Sequence, residues 1–314
     1  MRELKGIIPV KQTFFRKNGS IDEKSTIDHF NYLSKLEIGG LWLLGTGSED
    51  MNLSFSKRKK IAEIITKKNN SKIPLVMGCS FFCMDDMIKF IGETGHLKFD
   101  AYHMMPYHPL LSLKRITYIY EKLADFSMSK FNKPLWVYSS ANWSKKIDFN
   151  FISNLSKKQG ICGIKFSTSN SPDQVKALQL NNKKFQVITA VMKQTLPNLV
   201  SGAKAFTSSV GGAIPEPIIK LHKYFLNNNY KKALFYQREI NNLLDSFPKN
   251  LKKDNFLGAA EEKFILKLRG LGNGKVSNYY REPSISEKKI LKKNIINFYK
   301  KLGMLKVFKI KSND

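Results

Sequence analysis

Three places in the chain put residues capable of chemistry directly after apolar runs. Ile161-Cys162-Gly163-Ile164-Lys165 closes on an amine. An ammonium ending a buried strand loses its water; that loss lowers its pKa and leaves the nitrogen nucleophilic. Pro134-Leu135-Trp136-Val137-Tyr138 closes on a phenol, which reads either as a rim aromatic or as a proton relay whose pKa a neighbouring charge or hydroxyl lowers. Leu44 is followed by Gly45-Thr46-Gly47-Ser48-Glu49. Two glycines and two hydroxyls at such a turn can bring backbone N–H groups close to an anion such as a carboxylate. The stretch has neither the spacing of a dinucleotide site nor the lysine of a phosphate loop, and an ordinary turn would read the same. A lysine ending one strand, with a phenol ending the strand before it, suits imine chemistry on a 2-oxo acid. For Lys165 alone, a salt-bridged structural lysine is the alternative.

These residues need elements to hold them. Short β-branched or apolar runs fall at 6–10, 39–44, 73–77, 101–105, 135–138, 162–165, 186–189 and 205–208. Amphipathic stretches alternate with them at 22–36, 56–67, 84–93, 113–126, 148–157, 172–180, 193–199 and 215–225. Ser54, and Ser171 with Pro172, stand where helix caps belong. Eight strand-helix pairs predict an α/β fold, a (β/α)8 barrel; a doubly wound sheet would stop at five or six strands. After Pro215 only helical patterns remain, at 230–245, 259–269 and 286–302, with a glycine-rich break at 270–274. The expected organisation is a barrel over 1–225 and a helical C-terminal extension over 226–314. In a barrel the active site lies at the C-terminal ends of the strands, where the three motifs fall.

Composition narrows the class. Of 314 residues, 42% are hydrophobic, enough for a large core and too many for a disordered chain. No apolar run reaches the ~20 residues of a membrane span. Lys11 and Arg16 break any signal-peptide pattern, so a cytoplasmic protein is expected. The formal charge is +28, yet only seven of the 53 basic residues are arginines. Specific nucleic-acid surfaces favour arginine for bidentate contacts. Lysines scattered along the whole chain read as a solvated surface, with non-specific attraction to polyanions at low salt. Cys79, Cys83 and Cys162 have no metal-ligand spacing and read as free thiols, and no metal site is expected. His29, His96 and His222 have no partner spacing, and His103 reads as a core imidazole.

The motifs together resemble the dihydrodipicolinate synthase / N-acetylneuraminate lyase family of Schiff-base lyases and aldolases. Gly45-Thr46-Gly47-Ser48-Glu49, with the Leu53-Ser54 that follows, is similar to the family's G-[TS]-T-G-E stretch. Pro106-Tyr107-His108 falls at the family's Pro-Tyr-Tyr after strand four. Val137-Tyr138 and Gly163-Ile164-Lys165 match the strand-five tyrosine and the Gly-[IVL]-Lys of the reactive lysine. Gly202 to Ser208 and Pro215 echo strand eight and the helix after it.

The resemblance implies that Lys165 forms an imine with pyruvate or a pyruvyl substrate, and that Tyr138 shuttles the proton. It implies that Thr46 bridges Tyr138 to the substrate carboxylate, which the N–H groups of Thr46 and Gly47 hold. Tyr107 or His108 would complete a relay across a dimer interface, and Thr207 would stand near the pyruvyl group. No cofactor is implied, because the lysine imine is the electron sink. Partners would be a small 2-oxo acid and further copies of the chain, as a dimer or tetramer, with no specific nucleic acid and no membrane. Two departures stand out. Gly47 and Ser48 exchange the family's hydroxyl and glycine, with Ser48 able to restore a hydroxyl. Trp143 occupies the place of the arginine that clamps the semialdehyde carboxylate in dihydrodipicolinate synthases. The expectation is therefore a Schiff-base lyase, aldolase or dehydratase on a 2-oxo acid of the sugar-acid type. An authentic 4-hydroxy-tetrahydrodipicolinate synthase is one alternative; a basic, non-catalytic binding protein on a degenerate barrel is another.

Overall fold

A computed structural model describes residues 2–69, 73–140, 144–255 and 258–308. Eight strands, all parallel, run in the order β1-β8-β7-β6-β5-β4-β3-β2. They are β1 (Gly6–Pro9), β2 (Leu41–Leu43), β3 (Leu75–Gly78), β4 (Ala101–Met104), β5 (Leu135–Tyr138), β6 (Ile161–Phe166), β7 (Gln186–Thr189) and β8 (Ala205–Ser208). The helices that follow them are α1 (Glu23–Ser34), α2 (Phe55–Asn69), α3 (Met84–Thr94), α4 (Leu113–Phe131), α5 (Phe149–Leu155), α6 (Ser171–Leu178), α7 (Thr195–Val200) and α8 (Pro215–Leu226). The sheet curls back until β1 meets β2, where a single parallel bridge, Val10 to Trp42, closes the (β/α)8 barrel. Two backbone bonds reinforce that seam: Gly39 N–H to Ile7 O at 2.8 Å and Lys11 N–H to Trp42 O at 3.0 Å.

Side-chain alternation divides the apolar residues between two layers. Ile8, Trp42, Val76, Trp136 and Ile188 fill the barrel interior. Leu41, Leu43, Met77, Val137 and Ile164 point outward and pack under the helices. Caps set the helix starts: the side chains of Asp22, Ser112 and Asp148 accept backbone N–H bonds from Ser25, Arg115 and Phe151. α6 is capped by Asn170, which accepts from Asp173 N–H, one residue before the Ser171 that the sequence suggests, and Pro172 falls in its first turn. α4 continues past residue 126 to Phe131 and stops where Asn132 turns left-handed at φ 53°.

Four further helices follow the barrel: α9 (Tyr230–Asp245), α10 (Lys249–Asp254), α11 (Ala259–Leu268) and α12 (Ile285–Lys301). The short α10 has no counterpart in the sequence pattern. These helices share one core with α8 and the outer face of β1, through Ile7, Phe206, Ile218, Ile240, Ile265 and Tyr299. At its centre the Arg269 guanidinium is buried against Glu216, Tyr32 and Tyr299.

Candidate active site

Strand register brings the lysine and the phenol together. β5 and β6 start with Leu135 opposite Ile161, but Trp136 then faces Gly163, so Cys162 is an extra residue in β6. This bulge shifts the later pairs by one position and sets Tyr138 directly beside Lys165. Without it Lys165 would fall on the opposite face of the sheet. Gly163 makes the bulge possible: a Cβ there would lie 2.5 Å from the Trp136 ring and 2.4 Å from Gln186 O.

The Lys165 side chain is only 6% exposed. Its Nζ stands 3.9 Å from the centre of the Tyr138 ring and 5.2 Å from that of Trp42. Burial pulls the amine down from 10.5 to about 7, with the Asp50 carboxylate drawing it partly back up. A substantial neutral fraction therefore exists near pH 7, the state in which the nitrogen has a lone pair to give. The alternative of a salt-bridged structural lysine has no partner here: among the described residues no carboxylate pairs with Lys165.

Tyr138 OH lies 2.6 Å from Thr46 Oγ1. Burial raises the phenol's pKa; the Thr46 bond opposes this and the Asp50 charge adds to it. Desolvation thus outweighs the lowering on which the relay alternative rested, and Tyr138 stands as a neutral phenol hydrogen-bonded to Thr46. Beneath this pair lies an aromatic floor. His103 stacks on Trp42 with centroids 4.3 Å apart and an 18° interplanar angle, and its Nε2 bonds Leu43 O at 2.8 Å. Burial lowers the imidazole to about 3, so His103 is a neutral core residue.

Thr46 opens a short 3-10 turn over Thr46–Ser48, followed by a second over Asp50–Asn52. Leu44 and Glu49 both take left-handed φ, 52° and 58°, which folds the loop tightly over the strand ends. The Gly47 position leaves no room for a hydroxyl residue, since a Cβ would sit 2.7 Å from Ser209 Cβ. The Ser48 hydroxyl donates to Lys11 O at 2.7 Å and so is committed to the β1 end rather than to the lysine. Thr207 shares the inward face of β8 with Ala205. It is buried, and its Oγ1 has no protein partner.

The two residues after β4 part company. Tyr107 turns into the site and donates from its hydroxyl to Asp50 Oδ2 at 2.7 Å. His108 instead packs its ring on Phe82, centroids 4.6 Å apart, within an apolar cleft that includes Met84, Met104 and Leu111. Trp143 lies outside the described residues. Among those described, no group of three or more His, Cys, Asp or Glu is placed to hold a metal ion, and no helix is long and apolar enough to cross a membrane.

The sequence reading passed over three elements of this end of the barrel. Asp50 is a fully buried carboxylate inside the loop. Glu49 forms a buried ion pair with Lys263 of α11, and its second oxygen accepts Ser277 N–H at 2.8 Å. Gln12 donates to Glu262 Oε2 at 2.8 Å and to Ser209 O at 2.8 Å. The only prior signal was local: adjacent charges, Glu49-Asp50 just past a strand end and Glu262-Lys263 just before the apolar Phe264-Ile265-Leu266.

Fold and site together define a (β/α)8 barrel with a buried amine, its pKa lowered to about 7, beside a buried phenol at the C-terminal ends of the strands. Comparison with known proteins supplies the family. The model of the dihydrodipicolinate synthetase family matches residues 3–298, and the chain belongs to that family, an enzyme of the class I lyase and aldolase type. It is 25% identical over 306 residues to the 4-hydroxy-tetrahydrodipicolinate synthase of Methanocaldococcus jannaschii, covering 96% of this chain and 99% of that one. It is 24% identical over 290 residues to the N-acetylneuraminate lyase of Histophilus somni, covering 90% and 93%. The structure of a Ruminococcus gnavus sialic acid aldolase superposes with a TM-score of 0.87 at 20% identity, covering 96% of this chain and 99% of that one.

Proposed function

We propose that the protein joins the Lys165 amine to the keto carbon of pyruvate or a longer, sugar-type 2-oxo acid and uses the imine for lyase, aldolase or dehydratase chemistry. The observation that carries this reading is the buried, partly neutral Lys165 amine beside the Tyr138–Thr46 hydrogen bond. In the first step the Nζ lone pair adds to C2, and the carbonyl oxygen takes a proton from Tyr138. The Tyr138 phenolate then takes a proton from the ammonium nitrogen and passes it to the new hydroxyl, and water leaves with the C–O electron pair, giving a cationic imine. Cleavage of the C3–C4 bond sends its electron pair toward that nitrogen as an enamine, while the C4 hydroxyl returns its proton to the Tyr138 phenolate and its carbon departs as an aldehyde. Protonation at C3 and hydrolysis release pyruvate and restore the amine. No cofactor is required, because the imine itself accepts the electrons.

The first N–H groups of a 3-10 turn have no partner within it, and those of Thr46 and Gly47 are assigned to the substrate carboxylate. Thr207 supplies a buried hydroxyl with no protein partner. Tyr107 and His108 are both kept in the proposed relay region, Tyr107 through Asp50. A homo-oligomer and a cytoplasmic location belong to the proposal. Phe82 and Leu110 are large exposed apolar residues beside the turn after β4, a surface suited to another copy, and three cysteines outside any disulfide suit a reducing compartment.

The second reading, an authentic 4-hydroxy-tetrahydrodipicolinate synthase, is favoured by the near full-length relative of that name. Against it stands Trp143, an uncharged residue where a carboxylate clamp is needed. Incubation with pyruvate and borohydride, followed by peptide mapping, tests the imine; labelling at Lys165 is expected, and an unlabelled Lys165 overturns it. Turnover of sugar-type 2-oxo acids against pyruvate plus aspartate semialdehyde then separates the two readings.

A further inference from the structure

The carboxylate of Asp50 takes no part in the covalent steps proposed above, yet it sits inside the site. Asp50 has no exposed surface. One oxygen accepts the Tyr107 hydroxyl at 2.7 Å, and the other, Oδ1, is buried with no protein partner. Groups on five elements lie within its electrostatic reach: Arg58 on α2, Tyr107 after β4, Tyr138 on β5, Lys165 on β6 and Tyr280 in the segment before α12. Glu49 adjoins it in its own loop, but that charge is paired with Lys263. Arg58 is itself held by Leu53 O and Ser80 O, so it steadies the field around Asp50 without closing an ion pair on it.

We propose that Asp50 is a positioning residue for the lysine chemistry: its carboxylate fixes the Tyr107 phenol beside the Lys165–Tyr138 pair and balances the positive charge of the imine nitrogen. This rests on the proposed imine function and deepens it. A cationic imine is far more costly to bury than a neutral amine unless a negative charge lies nearby. The loop provides that charge on the same side as the phenols. A carboxylate held there also disfavours ionisation of Tyr107 and Tyr138, keeping both able to donate protons.

The test needs only pyruvate. In D2O an imine at C2 acidifies the methyl group: a C3 proton leaves, its electron pair moves into the enamine, and a deuteron returns to C3. Methyl deuteration followed by NMR reads this proton transfer, and cyanoborohydride trapping against pH reads imine formation. In Asp50→Asn, trapping at Lys165 is expected to persist, with its acid limb moved to lower pH by about half a unit or more because the amine loses the charge that favours its protonated form. Deuteration is expected to fall about tenfold or more. Tyr107→Phe keeps the charge but loses the bond; there deuteration is expected to fall with the acid limb unmoved, and this variant decides the matter if Asp50→Asn does not fold. Unchanged deuteration in both variants, or a fixed acid limb in a folded Asp50→Asn, overturns the role of Asp50. Absence of trapping in the unsubstituted protein overturns the imine function beneath it.

Discussion

Tyr138 and Lys165 are side-by-side register partners on β5 and β6, and they are so only because Cys162 is an extra residue in the second strand. The geometry of the candidate site is thus set by a backbone irregularity two and three residues away from the reacting atoms. Gly163 at that bulge lies against the Trp136 ring and Gln186 O. Gly163→Ala is expected to cost about 1–3 kcal/mol by overpacking, measured by denaturant unfolding. It should also lower the rate of pyruvate trapping at Lys165, because the bulge must shift to admit the methyl group.

Lys165 sets the pH response. Burial brings its pKa to about 7, so the amine is protonated and unreactive below that pH and free to attack above it. The rate of imine formation is expected to rise through pH 7 and then level off, where an ordinary lysine would continue rising toward 10. Lys165→Ala should abolish trapping and reduce turnover by at least about 10³-fold. Stopped-flow or quench measurements across pH check the limb.

Gly47 and Ser209 occupy one space. A Cβ at residue 47 would lie 2.7 Å from Ser209 Cβ and 3.2 Å from Val10 Cγ1. Gly47→Thr alone is expected to destabilise by about 1–3 kcal/mol. Combined with Ser209→Gly it should recover at least about 1 kcal/mol, a coupling that a double-mutant cycle measures directly.

Glu49 and Lys263 pair in complete burial and tie the loop after β2 to α11. Lys263→Met leaves the Glu49 charge uncompensated and is expected to cost about 3–5 kcal/mol. Adding Glu49→Gln should return most of that, because the amide oxygen can still accept Ser277 N–H. Urea unfolding of the two variants makes the comparison.

Glu262 has its carboxyl pushed up to about 8, chiefly by burial. Its folded pKa is above the ordinary 4.5, so the folded chain holds a proton that the unfolded chain releases between those values. Stability is therefore expected to fall as pH rises through about 4.5 to 8. Glu262→Gln should flatten that slope and be the more stable protein at pH 8, by up to a few kcal/mol. Thermal unfolding across the window checks the sign.

The barrel was legible in the chain because each strand is a short apolar run with an amphipathic stretch after it, and because Lys165 and Tyr138 lie at the ends of their strands and Thr46 in the turn just past its own. Their side chains then meet as strand-end polar groups in a barrel must. What could not be read depends on contacts far apart in sequence. Cys162 looks like any strand residue until its pairing with β5 is known. Asp50 looks like a loop acid until Tyr107 is brought to it, and Glu49 until α11 arrives with Lys263. Tyr107 and His108 are neighbours of similar promise, and only the path of the chain after β4 turns one inward and the other onto Phe82.

The join between β1 and β2 has a consequence for how this molecule would come apart. Among the described residues its backbone pairing is the Val10–Trp42 bridge with the Gly39–Ile7 and Lys11–Trp42 bonds, and β2 leads straight into the loop bearing Thr46 and Asp50. The contacts from Gln12 to Glu262 and from Glu49 to Lys263 act as staples across that thin join. Chain segments cut off after α8 would keep every strand yet lose both staples, so amide hydrogens of β2 should become the first in the barrel to exchange with solvent.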